Sequence, residues 1–201
     1  MANIIHSFDL DDEGWRSYDY ELHHEGVPVH AMRVAWELAG GVDGGGYIWA
    51  DDKSWTIDTP EQPHSILALF TYRRWRGLGS LDLRGAEVSV HLRGDGLDLL
   101  GGTCTFWVVT DKMGKHSRWH FVAKRLQIPD GRWSEAQRLV LENDESQWHH
   151  SWTHESARDP RLDDALGHVD SYGIAFVGFS EKVTGRLSLD ELRIRTELGE
   201  V

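Results

Sequence analysis

The chain has 201 residues, 33 of them acidic and 21 basic, for a net charge of −12 at neutral pH. That balance argues against binding to a nucleic-acid backbone or an anionic membrane, and no apolar run approaches the roughly 20 residues of a membrane-spanning helix. A single cysteine excludes an internal disulfide, while ten tryptophans form the strongest departure from average composition, a residue that serves sandwich cores and sugar-stacking platforms alike.

The opening MANIIHSFDLDDEGW has no basic leader region and no long apolar core, which predicts a cytoplasmic protein as it stands, or a secreted one if the N-terminus has been trimmed. Residues 4–10 read as a first strand closed by an acidic turn. Residues 30–38 alternate Met32, Val34, Trp36 and Leu38 against Arg33, Ala35 and Glu37, the pattern of a half-buried strand. A glycine cluster at 39–46 precedes the strand YIWA. The run ILALFTY at 66–72 is almost continuously apolar and predicts a central strand.

Four further strands follow between residues 85 and 141. Val88, Val90 and Leu92 alternate with Ser89, His91 and Arg93; Cys104, Phe106 and Val108 with Thr105, Trp107 and Val109; Trp119 and Phe121 with His120 and Val122. Residues 138–141 make the fourth. Glycine, aspartate and proline between them supply turn geometry at low steric cost. Cys104, set in an apolar run, reads as a small buried hydrophobe. Residues 142–167 lack strand periodicity and read as one long ordered loop, and loops of that length in compact domains are often functional. A glycine-containing strand at 171–179 and a final strand at 187–195 complete about ten strands. No repeat, low-complexity tract or linker interrupts them, so the reading is one all-β domain over residues 1–201, a two-sheet antiparallel sandwich.

Three stretches carry a family resemblance. SFDLDDEGW at the start, LDLRGAEVSVHLRGDGLDL through RWHFVAKRLQIPDGRWSEAQRLVL in the middle, and YGIAFVGFSEKVTGRLSLDELRI near the end together resemble the galactose-binding-domain-like jelly rolls. That superfamily includes carbohydrate-binding modules, laminin domain IV modules and complex I intermediate-associated proteins. GGVDGGGYIWADD is similar to a passage of laminin domain IV. The resemblance implies a jelly-roll β-sandwich. It also implies a structural Ca²⁺ shared between the first and last strands, at the matching positions Asp9 and Asp190, with Asp52 from the glycine-rich passage; hard oxygen ligands suit that ion.

The alternation that buries Phe106 and Phe121 sends Trp107, His91 and His120 to the opposite face. With Trp36, Trp49, Tyr72, Arg74 and Trp152 these are the expected lining of a concave-face groove, where Trp and His planes interleaved with Arg suit a carbohydrate or similar polyhydroxylated ligand. The 142–167 loop is expected to lie over that groove with His150 or His154 directed inward. His149, His150, His154 and Glu155 also offer transition-metal ligands, although not at the spacing of a helical zinc motif. Non-catalytic carbohydrate recognition is the leading functional reading. An intracellular lyase, isomerase or hydrolase using His91, His120, His150 or His154 as general acid and base is the alternative. An assembly or scaffolding factor is the third.

Overall fold

The structure is a computed structural model describing residues 2–18, 31–55, 65–111, 117–153 and 161–197. In chain order the strands are β1 (Ala2–His6), β2 (Arg16–Tyr18), β3 (Ala31–Arg33), β4 (Ala35–Glu37), β5 (Tyr47–Asp51), β6 (Ser65–Tyr72), β7 (Glu87–Asp98), β8 (Thr103–Thr110), β9 (Ser117–Leu126), β10 (Gln137–Val140), β11 (Trp148–Thr153), β12 (Ser171–Val177) and β13 (Thr184–Thr196). One short helix, α1 (Leu162–Leu166), lies between β11 and β12. Among the described residues no helix is long and apolar enough to cross a membrane.

Two antiparallel sheets result. The first runs β10–β7–β13–β5–β4, with β1 pairing the same flank of β13 beyond β5. The second runs β11–β9–β8–β12–β6–β2–β3. The fold is a two-sheet antiparallel jelly-roll sandwich.

Its core follows from the period-two pattern. Val88, Val90 and Leu92 of β7 and Leu187 and Leu189 of β13 face Phe106 and Val108 of β8 and Tyr172, Ile174 and Phe176 of β12, all fully buried. In β13 the apolar core positions skip from Leu189 to Leu192, because a bulge between Asp190 and Arg193 adds a residue to the ladder. Glu191 takes a φ of 48° at that bulge. Cys104 is buried among the core side chains, and burial pushes its thiol pKa up.

Three sequence expectations change. The run at 30–38 is two strands in different sheets: β3 belongs to the seven-stranded sheet, β4 to the other, and the chain crosses between them at buried Val34. Unbroken alternation conceals such a crossing. The first strand stops at His6; Phe8, fully buried, takes a φ of 56° and turns the chain, its N–H donated to Glu13 Oε1. Residues 142–167 are not one loop. They contain a 3-10 turn at Glu145–Gln147, the edge strand β11 and helix α1, and Trp148, Leu162, Ala165 and Leu166 are anchored in the core.

Candidate functional site

The outer face of the seven-stranded sheet carries a second apolar cluster, separate from the core: Leu67, Phe70, Trp107, Val109 and Ala175. The register explains why these residues meet. His149 of β11 pairs with His120 of β9, His120 with Trp107 of β8, Trp107 with Gly173 of β12, Gly173 with Phe70 of β6, Phe70 with Arg16 of β2, and Arg16 with Arg33 of β3. Cross-strand partners point to the same side of a sheet, so one row crosses all seven strands, about 29 Å at 4.7–4.9 Å per strand.

Gly173 is the point of closest approach in that row. A Cβ there would stand 2.1 Å from the Leu69 carbonyl oxygen and 2.7 Å from Phe70 Cα. Its missing side chain also lets the rings of Phe70 and Trp107 meet across β12, their centroids 5.9 Å apart. Phe70 continues the aromatic contact to Trp75 at 6.2 Å, and Trp75 to Tyr72 at 5.0 Å, distances at which rings attract. Trp75 is 57% exposed and forms the rim.

Two polar atoms in this floor have no hydrogen-bond partner within the described protein: Trp107 Nε1 and His120 Nε2, both buried. His120 Nδ1 lies 3.2 Å from Thr105 Oγ1. Burial, with the nearby charges of Arg118 and His149, holds the His120 imidazole neutral, its pKa well below the usual histidine range. An unmade buried hydrogen bond costs about 1–3 kcal/mol, so the pair is an unfavourable feature of the fold taken alone.

At the rim, Tyr72 donates its hydroxyl to the Asp111 carboxylate, and burial together with that carboxylate raises its pKa. Arg74 Nε donates to Asp170 Oδ1 at 3.0 Å; the same carboxylate accepts from Ser80 Oγ at 2.7 Å and from the Asp111 N–H at 2.7 Å. Asp170 is fully buried and pins the end of β12 to the turn after β6.

The structure therefore brings Tyr72, Trp107 and His120 onto one face, with Arg74 in the turn that follows Tyr72, and Trp152 lies in β11 opposite Arg118. It separates His91, Trp36 and Trp49 from them. His91 sits in β7 of the other sheet with Nδ1 2.8 Å from the Ser134 carbonyl oxygen; Trp36 donates to the Phe8 carbonyl at 2.6 Å; Trp49 lies beneath Arg186, 4.9 Å from its ring centroid. The alternation assigns a face but not a sheet, which is why these three were grouped with the others. His150 turns to the opposite side of β11, its ring tilted against Trp119 at 4.6 Å with Nε2 3.0 Å from Ser117 Oγ. His154 and Glu155 lie outside the described residues. The histidines expected to act together as acid and base are not assembled among the described residues. Phe70, Gly173, Arg16, Arg33 and Trp75 were not anticipated. A glycine inside an apolar strand was the available signal, since it marks close backbone approach.

The acidic positions form a second locality. Asp190 Oδ2 accepts the Val42 N–H at 2.7 Å and Asp9 Oδ1 the Gly46 N–H at 3.3 Å, so both carboxylates hold the same glycine-rich turn. A Cβ on Gly41 would lie 2.5 Å from Asp190 Oδ2, 2.7 Å from the Gly46 carbonyl and 3.0 Å from that of Gly45. Burial, opposed by two backbone N–H donors and reinforced by Glu191 and Asp9, raises the Asp190 carboxyl pKa to about 6. Asp52 does not join them. It lies past the far end of β5, accepting the Gly185 N–H at 3.3 Å. Among the described residues no three His, Cys, Asp or Glu side chains gather as a metal site.

No family model matches the chain, and no curated protein sequence matches it. Solved structures do. The chain is similar to a family 11 carbohydrate-binding module from Clostridium thermocellum in complex with a β-1,3-1,4-mixed-linked tetrasaccharide, with 14% identity over 92% of this chain and 97% of that one and a TM-score of 0.46. It is similar to the L4b domain of human laminin α-2, with 9% identity over 97% and 98% and a TM-score of 0.48. The CBM22-1 xylan-binding domain from Paenibacillus barcinonensis Xyn10C gives 13% identity over 98% and 94% and a TM-score of 0.45. At these identities the likeness is one of fold.

Proposed function

We propose that the outer face of the seven-stranded sheet recognises a carbohydrate or similar polyhydroxylated ligand without transforming it. The observation that carries this reading is the pair of unpartnered atoms in an aromatic floor. Trp107 Nε1 can only donate. His120 Nε2 accepts when Nδ1–H is directed to Thr105 Oγ1, and the neutral imidazole permits that tautomer. A hydroxyl group supplies both roles these atoms lack, accepting from Trp107 Nε1 and donating to His120 Nε2. The Phe70, Trp75 and Tyr72 rings beside it offer faces on which an apolar sugar surface stacks. The rim is reachable first; the pair beneath it supplies selectivity for a hydroxyl correctly placed.

The test is affinity electrophoresis against soluble polysaccharides followed by calorimetry on any that retard the protein. Trp107→Phe keeps an aromatic floor and removes the donor, so affinity should fall about two- to tenfold, the worth of one hydrogen bond. Retention of full affinity by Trp107→Phe, or no retardation by any polysaccharide, would refute the reading.

Ca²⁺ is proposed at the second locality. Two carboxylates, one buried with no basic partner among the described residues, hold the same glycine-rich turn that carries the carbonyls of Gly45 and Gly46, and such oxygens are the ligand type the ion takes. A hard divalent cation would neutralise Asp9 and Asp190 and tie the turn after β1 to β13.

A further inference from the structure

The two sheets differ in charge in a way that the overall composition hides. The chain carries 33 acidic residues, yet among the described residues none falls in any of the seven strands of the sheet that bears the candidate site. Those strands hold Arg16, Arg33, Arg118, Lys124 and Arg125, and histidines at 120, 149 and 150. The other sheet has acids in β4, β5, β7 and β13. Strand propensity does not explain the difference, since it disfavours carboxylates in both sheets alike.

The row across the outer face is where this matters. From one edge to the other it reads Arg33, Arg16, Phe70, Gly173, Trp107, His120 and His149, with basic or titratable side chains at both ends and aromatic rings in the middle. Arg33 is exposed and has no acidic partner among the described residues. Arg16 is 3.6 Å from Asp12, a surface pair of the kind that contributes little and yields readily to a competing anion. His149 is exposed at the opposite edge. Of the other described carboxylates near this sheet, Asp111 and Asp170 lie at one end and are already occupied by Tyr72, Arg74 and Ser80.

We infer that the ligand is an acidic carbohydrate chain, bearing carboxylate or sulfate groups, lying along this row with its anionic substituents towards Arg33 and Arg16. The inference rests on the carbohydrate reading above and names the ligand class within it. Guanidinium groups present planar forks that match carboxylate and sulfate oxygens, while the central rings and the Trp107–His120 pair address the sugar itself. A protein of net charge −12 repels polyanions in general. A local basic row therefore selects for an anion that also satisfies the hydroxyl-directed floor, and this disfavours nucleic acid as the occupant.

The experiment compares polygalacturonate, heparin, neutral xylan and a single-stranded DNA oligomer by calorimetry at low and at physiological salt, with the full chain. Polygalacturonate and heparin separate the carboxylate source from the sulfate one. One of them is expected to bind at least about tenfold more tightly than xylan at low salt and to weaken as salt rises. Arg33→Gln, at an exposed position, should lower that affinity several-fold and leave the melting temperature unchanged, whereas Arg193→Gln on the other sheet should change neither. Equal binding of xylan, or indifference to Arg33→Gln, overturns the inference but leaves the carbohydrate reading standing. Binding of DNA as tight as that of the acidic glycans also overturns it. If no polysaccharide binds, both fail.

Discussion

Replacing Gly173 by alanine tests whether the central row is held as tightly as its geometry requires. The added Cβ would meet the Leu69 oxygen at 2.1 Å, Phe70 Cα at 2.7 Å and Phe70 Cβ at 2.8 Å. Two of these atoms belong to the backbone and the third is fixed to it, so no rotamer change relieves the clash; β6 and β12 must move apart locally. Overpacking of this kind costs about 1–3 kcal/mol. Loss of glycine's freedom in the unfolded chain offsets about 0.4–1 kcal/mol of that. The net is a destabilisation of roughly 1–2 kcal/mol, which for a domain of this size lowers Tm by about 2–8 °C. Calorimetric melting measures it directly. Near-UV circular dichroism reports whether the Phe70–Trp107 contact across β12 has shifted. A Tm within about 1 °C of the parent, with an unaltered aromatic signal, would show that the strands tolerate a Cβ there and that the row is looser than described.

Calcium at 100 times its Kd should stabilise the protein by about 2.7 kcal/mol, a rise of roughly 5–11 °C in Tm that chelation reverses and Asp190→Ala abolishes. A melting curve indifferent to both additions would remove the ion from Asp9 and Asp190. Without calcium, the raised Asp190 pKa has a definite sign. The folded state binds the proton more tightly than the unfolded one, so this group's stabilising contribution is complete below about pH 4 and is lost as pH rises through about 6. The difference amounts to at most about 3 kcal/mol, and Asp190→Asn should flatten that part of the stability–pH profile. Trp75→Ala should weaken polysaccharide binding about three- to tenfold with little change in Tm, because the ring is 57% exposed; a loss of stability instead would make Trp75 a packing residue.

Much of the sandwich was legible because alternation in single strands is a local property. Val88, Val90 and Leu92 announce one buried face within five residues, and so do Cys104, Phe106 and Val108. Which sheet a strand joins is a non-local property, and there the reading failed. His91 and His120 look equivalent in sequence, each outward on an alternating strand, yet β7 pairs with β13 and β10 while β9 pairs with β8 and β11. Trp36 was misplaced because its strand follows β3 with only Val34 between, too short an interval to signal a change of sheet. Residues 142–167 hid β11 for another reason. WHHSWT is polar for a strand, and an edge position with one neighbour places little demand on its side chains. The row through Arg33, Arg16, Phe70 and Gly173 was beyond reach, since it exists only once three registers are fixed together.

The central position of β13 has a consequence for how the chain is made. Neither β1 nor β5 pairs with β7; each joins it through β13, whose residues 184–196 leave the ribosome after every other described strand. Until then the nascent chain holds a sheet with its middle missing and the apolar faces of β5 and β7 without their neighbour. Folding of that half is therefore governed by contacts distant in sequence, which favours slow assembly and a need for protection of the exposed strands meanwhile.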